Sequence, residues 1–348
     1  MFQILVINVG STSVKLSIFQ DEKSIADADI PLTEKATLDN IDSVYNYVKV
    51  FLQNLSITLA SIDAIAARGG LLRPLIGGTY LVNDTMLKDL KTSRFGVHAS
   101  NLSPIIADRL AQKESICTYV VDPVTIDEFQ EVARITGIPA IRRKSAFHAL
   151  SQKAAARRAS AELGKKYEEA SLIVAHMGGG ITVGAHLKGR VVDANNGLDG
   201  DGPITPERAG TIPAGDLVRL CFSGKHTQEE IIRMLVGSGG MTAYFGSSDM
   251  KLVDEKRKAG DQTAQLMVEA MAYSIAKQIF STAAVLSGQV DAVVLTGGLI
   301  RWQALIDLIT PRVSFIAPII ICPENLEMSA LAGGVLRVLQ GKETALDY

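Results

Sequence analysis

The sequence predicts an α/β protein made of two copies of one unit, on the strength of two internal echoes and the strand-forming runs that carry them. In the first echo, the apolar run Ile4-Leu5-Val6-Ile7 leads into Asn8-Val9-Gly10-Ser11-Thr12-Ser13-Val14-Lys15, and Leu172-Ile173-Val174-Ala175 leads into His176-Met177-Gly178-Gly179-Gly180-Ile181-Thr182. Each copy runs from a buried strand through a polar residue and a glycine turn into a second strand. In the other echo, Asp63-Ala64-Ile65-Ala66-Ala67 ends at Gly69-Gly70, and Asp291-Ala292-Val293-Val294-Leu295-Thr296 ends at Gly297-Gly298. The two echoes keep the same order in each half, which argues for duplication.

The first turn is chemically the richest stretch. Gly10 lets the backbone bend and approach a ligand closely, Ser11, Thr12 and Ser13 offer hydroxyl and N–H donors, and Lys15 adds a fixed positive charge. Gly-Ser-Thr-Ser between two strands, taken alone, describes an ordinary hairpin. The second copy favours a device that cradles phosphate.

Bulk properties narrow the function. A chain of 348 residues with 47% hydrophobic residues can bury the cores of two domains. Its formal net charge of -2 gives no reason to expect nucleic acid or an anionic membrane as partner. Cys117, Cys221 and Cys322 are odd in number, far apart and set in or beside apolar segments, so buried free thiols in a reducing cytoplasm are expected. The N-terminal apolar run has no basic flank and soon meets Asn8, unlike a signal peptide, and no uncharged apolar segment is long enough to span a bilayer.

Residues 3–30 read as a three-stranded meander with a turn at Gln20 to Lys23. Helical spacing follows from Leu38 to Leu55, a helix starts after Asn83-Asp84, Arg94 to Asn101 is a polar loop containing His98, and a helix from Pro104 to Gln112 leads to the strand Cys117 to Val121. Arg142-Arg143-Lys144 reads as a solvated approach to a long helix capped by Ser145, running through Ala161 and ending at Gly164. Strands fill 171–194. Asn195 to Pro213 is too long and too rich in Gly, Asp, Asn and Pro for an ordinary connection, which suggests an active-site loop. Helices over 228–236, 249–255 and 261–286, strands ending at Thr296 and Ile321, and a closing helix from Glu327 to Leu339 complete the chain. The junction falls at 144/145, giving domains 1–144 and 145–335, with about 336–348 a candidate to pack back on the first.

The echoed meanders resemble the actin, Hsp70 and sugar kinase superfamily, and within it the acetate and butyrate kinase family, in the branch acting on butyrate and branched-chain acids. The residues carrying this are Asn8 to Lys15, Arg68-Gly69-Gly70-Leu71, Val121-Asp122-Pro123, Phe147-His148-Ala149-Leu150, His176 to Gly180, Gly202 to Arg208 and Pro323-Glu324-Asn325-Leu326-Glu327. The resemblance implies a duplicated ribonuclease H-like, actin-like fold with ATP in a central cleft. It also implies reversible phosphoryl transfer from ATP to a short-chain carboxylate, giving ADP and an acyl phosphate such as butyryl phosphate. Mg2+, a cytoplasmic location and a homodimer or larger homo-oligomer are implied as well.

A carboxylate is already an anionic nucleophile, so such a site must supply positive charge and in-line alignment rather than a strong base. On the resemblance, His148 donates to the transferring phosphoryl group, while Arg68 and Arg208 hold carboxylate and phosphoryl oxygens with their planar forks. Neither arginine falls at the offset of the acetate kinase pattern. Asn8 and Glu327 match magnesium-positioning residues, and Asp122 the remaining acidic site residue. Ser11, Ser13, Lys15, His176, Gly178, Gly179, Gly180, Asp249, Gly297 and Gly298 match nucleotide contacts, with Lys251 standing where arginine is expected. Without the family, His148 in Ala-Phe-His-Ala-Leu reads as a core histidine and Glu327 as compensation of a helix dipole. Acetate or propionate kinase is the near alternative. A switch protein of the Hsp70 or actin kind would need a peptide-binding extension or polymer-forming inserts, and a sugar kinase would need polar residues reading several hydroxyls.

Overall fold

The computed structural model describes residues 1–112, 114–322 and 326–348, so Pro323, Glu324 and Asn325 of the last motif lie outside the described residues. The chain divides into two units, Met1–Asp127 with Asn325–Tyr348, and Glu128–Glu324.

In the first unit, β1 (Gln3–Val9) and β2 (Ser13–Gln20) form the expected hairpin, and β3 (Lys23–Pro31) completes the meander. Helix α1 (Ile41–Asn54) precedes β4 (Ala64–Arg68), which runs parallel to β1. Next come β5 (Thr79–Leu81), α2 (Asp84–Lys91), α3 (Leu102–Ala111) and β6 (Cys117–Val121). The sheet order is β3-β2-β1-β4-β6-β5. Every residue from Ile4 to Val9 is buried, as a central strand covered on both faces requires. By contrast β3 alternates between exposed and half-buried positions, as an edge strand does. Asn83 caps α2 by accepting from the Met86 amide, as its sequence position predicts.

The second unit repeats the plan with β7 (Ser171–Met177), β8 (Ile181–Leu187), β9 (Arg190–Ala194), β10 (Ala292–Thr296) and β11 (Ile319–Ile321). Its order, β11-β10-β7-β8-β9, is that of β6-β4-β1-β2-β3. Both meanders carry a register shift in the second strand, between Ile18 and Phe19 in one and between Ala185 and His186 in the other. Both glycine turns close on one backbone bond, Gly10 N to Ser13 O and Gly178 N to Gly180 O. Asn8 lies opposite Lys15, and His176 opposite Thr182. The duplication is therefore real at the level of pairing. The helices of this unit are α4 (Ala149–Glu162), α5 (Ala214–Cys221), α6 (Gln228–Leu235), α7 (Met241–Phe245), α8 (Met250–Lys258), α9 (Gln262–Val285) and α10 (Gln303–Val313). Buried residues of α9, from Ala264 to Ala283, pack with Ile173, Val183 and Val293 in one core.

Several expectations need correction. The junction lies at 127/128 rather than 144/145, because residues 128–144 are bonded into the second unit. Gln130 N donates to Val192 O, Lys153 pairs with Glu128, and Arg143 donates to the Asp193 carboxylate at 2.8 Å and to Ala194 O. Within the basic run Arg142 and Lys144 are exposed, as a solvated approach requires, whereas Arg143 is half-buried and fastens the segment to β9. This lateral bonding, with Ala146 O accepting from Gly197 N, ends only just before α4, which begins at Ala149 rather than at a Ser145 cap. The closing helix Leu326–Leu339 belongs whole to the first unit, so the return of the chain begins well before 336. Gly334 of that helix passes so close to Val121 that a Cβ there would overlap it. The tail after the helix also docks on the first unit: Leu346 N donates to Thr79 O, and the Tyr348 hydroxyl to Asp89. Cys322 is buried, but Cys117 and Cys221 are exposed.

Candidate functional site

In the first unit, Asn8 at the end of β1 is 2% exposed and uses both ends of its amide. Its Nδ2 donates to Glu327 Oε2 at 3.2 Å, and its Oδ1 accepts from Arg68 Nη1 at 3.2 Å. Arg68 also pairs with Glu327 at 3.9 Å. The parallel pairing of β1 with β4 brings Asn8 and Arg68 together, and the first turn of the closing helix brings Glu327. Lys15, opposite Asn8 in the hairpin, points to the same sheet face and is half-buried; Ser13 is also half-buried and Ser11 exposed.

His98 joins this group through charge: burial, and then the charge of Arg68, lower its pKa below the ordinary histidine value. Nothing in the sequence marked it, since its loop position has no periodic or motif signal. Asp122 follows β6 in the left-handed region at φ 38°, buried, and its carboxylate accepts from Gly78 N at 2.9 Å while its own N–H donates to Gly78 O. It clamps the turn that precedes β5, a use of the carboxylate that the sequence does not reveal.

One amide and one carboxylate suit a magnesium ion that keeps most of its waters, and suit no ion that demands a full protein cage. No group of three or more His, Cys, Asp or Glu that could hold a metal occurs among the described residues.

The second unit gathers the other predicted residues around the Gly178–Gly180 turn. His148 stands at the N-terminus of α4 and stacks on His176, with ring centroids 4.2 Å apart. Its Nδ1 lies 2.8 Å from the Thr182 hydroxyl. Arg208 lays its guanidinium against Gly180, where a Cβ would overlap it, and its Nη1 is buried with no hydrogen-bond partner among the described residues. Burial lowers the Arg208 pKa, opposed by the charge of Glu207. An orphaned, half-buried guanidinium beside a glycine turn is prepared for an anion. Thr205 Oγ1 donates to Gly179 O and so ties the long 195–213 loop to the turn.

Two predicted nucleotide contacts have structural uses of their own. Gly297, at φ +92°, passes against Met177 O, where a Cβ would collide, whereas a Cβ on Gly298 would meet open space. Asp249 is exposed and caps α8 through the Lys251 amide at 2.9 Å.

Residues 134–306 match the profile of the acetokinase family. Across 100% of this chain and 99% of the relative, the sequence is 47% identical over 354 aligned positions to butyrate kinase 2 of Clostridium acetobutylicum. The chain belongs to the acetokinase family. Similar solved structures are acetate kinase from Porphyromonas gingivalis, with a TM-score of 0.83, 19% identity and coverage of 97% of this chain and 100% of that one, and a propionate kinase from Francisella tularensis, with a TM-score of 0.79, 22% identity and coverage of 96% and 99%. They establish the fold, the expected duplicated actin-like α/β architecture. As an acetokinase-family member the protein is a carboxylate kinase, with ATP and ADP as its nucleotide pair. No helix among the described residues is long and apolar enough to cross a membrane.

Proposed function

We propose that this chain transfers the γ-phosphoryl group of ATP reversibly to butyrate or a branched short-chain acid, using Mg2+. The observation that carries the reading is the convergence of His148 and the orphaned Arg208 guanidinium on one glycine turn in a chain that is 47% identical, end to end, to a butyrate kinase.

Arg208 and His148 stabilise the oxygens of the transferring group, where charge is densest at the transition state, and the turn's amides hold the nucleotide phosphates. Arg68 and His98 receive the carboxylate. Asn8 and Glu327 would hold the magnesium through its waters. When bound, magnesium neutralises part of the phosphate charge. Lys15 adds a fixed positive charge on the Asn8 face of the hairpin, and Asp122 serves the site by keeping the Gly78 turn in place.

Acyl hydroxamate formation from ATP, hydroxylamine and a panel from acetate to hexanoate tests the reading. The largest kcat/KM is expected with butyrate or a branched acid, and overlap with propionate is expected because one methylene discriminates by only about 1–3 kcal/mol. No product with any of these acids ends the proposal. A homodimer or larger assembly in the cytoplasm belongs to the same reading, and light scattering of the purified protein tests the assembly.

A further inference from the structure

Behind His148 runs a chain of buried polar groups. Gln152 Nε2 donates to Thr182 O at 3.0 Å and to Thr182 Oγ1 at 2.8 Å. Gln152 Oε1 lies 3.1 Å from His186 Nε2, and His186 Nδ1 lies 2.9 Å from the Tyr167 hydroxyl. Gln152, Thr182 and His186 are each 0% exposed. Gly184, in the middle of β8, makes the room: a Cβ there would overlap Gln152 Oε1. Gln152, Thr182, His186 and Tyr167 are thus arranged in a line behind one imidazole.

Proton bookkeeping along this chain has a single solution. A backbone carbonyl only accepts, so Thr182 O fixes the Gln152 amide with its NH2 toward Thr182 and its Oε1 toward His186. His186 Nε2 must then carry a proton to donate to Oε1. Burial, and then the charge of Lys153, push the His186 pKa well below the ordinary value, so the ring is neutral and its Nδ1 accepts from Tyr167. At the other end, the Thr182 hydroxyl receives two obligate donors, Gln152 Nε2 at 2.8 Å and, over a long 3.4 Å, the backbone N–H of His148. Both its lone pairs are occupied, and its one proton is left for His148 Nδ1.

We infer that Thr182 and Gln152 are positioning residues that hold His148 as the neutral Nε2–H tautomer, so that its far nitrogen always offers a donor. The arrangement performs for a donor histidine what a carboxylate does in a Ser-His-Asp triad, with the opposite nitrogen protonated and no charge spent. No proton changes hands: the Nε2–H donates a hydrogen bond to the phosphoryl oxygen and keeps its proton through the transfer. The link to turnover rests on the carboxylate kinase reading; the tautomer does not.

The test is long-range 1H–15N spectroscopy of the full chain labelled with 15N-histidine, with the His148 signals assigned by their loss in His148→Ala, together with steady-state kinetics. The expected result is an Nε2–H pattern for His148 in the parent. In Thr182→Val the pattern becomes a mixture of tautomers and kcat falls about ten- to a hundredfold, while the KM values stay within about twofold. Thr182→Ser keeps the hydroxyl and restores both. An Nδ1–H pattern in the parent, an unchanged tautomer in Thr182→Val, or an equal loss of kcat in Thr182→Ser would each overturn the inference. An Nε2–H parent that responds in this way but forms no acyl phosphate would leave the inference standing and remove the proposed reaction.

Discussion

The imidazole of His148 lies over that of His176, with ring centroids 4.2 Å apart and planes 24° from parallel. His176 is the next-to-last residue of β7, the position Asn8 holds in β1, so the stack attaches His148 to the strand that enters the glycine turn. Replacing His148 with Ala should therefore leave the turn's fold in place and remove a donor needed only as charge develops on the transferring group. The expected outcome is a kcat lower by about a hundred- to a thousandfold, with the KM for ATP changed by less than about threefold. Steady-state hydroxamate kinetics measure both, and an unchanged kcat would take His148 out of the site.

Gly180 gives a sharper separation of activity from stability. Any Cβ at this position must displace the Arg208 guanidinium, which is the far end of a flexible side chain and can move without disturbing the core. Gly180→Ala should accordingly lower kcat/KM by roughly tenfold or more while the melting temperature shifts by no more than about 2 °C. An active Gly180→Ala enzyme would show that the place Arg208 occupies beside the turn is not where it works. A loss of melting temperature as large as the loss of activity would point instead to packing.

How much of this site the sequence discloses depends on how local the signal is. The hairpins, their echoed turns and the strands ending at Arg68 and Thr296 were legible because alternation and glycine placement are local. So were the helix start at Asn83-Asp84 and the long helix α9. The domain junction was not legible, because it depends on Arg143 reaching Asp193 and on Lys153 reaching Glu128, pairings that no periodicity encodes. Helix α10 has no counterpart in the sequence reading, and it contains Pro311 within its last turn. Arg208 could be named from a motif, but its orphaned nitrogen could not. Gly184, an isolated glycine within a strand pattern, was the one visible trace of Gln152 behind it.

Glu327 accepts from Asn8 Nδ2 at 3.2 Å and lies 3.9 Å from Arg68. Glu327→Gln keeps an oxygen for Asn8 and removes the charge, so the fold should survive while the attraction for a divalent cation weakens. The concentration of Mg2+ giving half-maximal rate should rise about tenfold or more, the order of effect that outer partners of a metal commonly have. Titrating the rate with Mg2+ at saturating acid measures it. An unaltered Mg2+ dependence would exclude Glu327 from holding the ion's waters.

His186 makes a prediction about stability rather than rate. The ordinary histidine pKa is 6.5, and in the folded chain burial and the charge of Lys153 hold that of His186 well below it. At pH values above 6.5 the folded and unfolded chains both carry it neutral, and it contributes no pH dependence. Between 6.5 and the depressed folded value, the unfolded chain binds a proton that the folded chain does not, so stability falls as the pH drops, by up to about 1.4 kcal/mol per pH unit. Carboxylates titrate in the same range, and the comparison that isolates the histidine is with His186→Gln. Urea unfolding of both proteins from pH 7.5 to pH 5 should show the variant's stability declining less steeply. The stability of the parent minus that of the variant should thus decrease as the pH falls, whichever protein is the more stable at pH 7.5. Parallel declines would mean that His186 is protonated in the folded state, which would require it to donate from both nitrogens and reverse the Tyr167 bond.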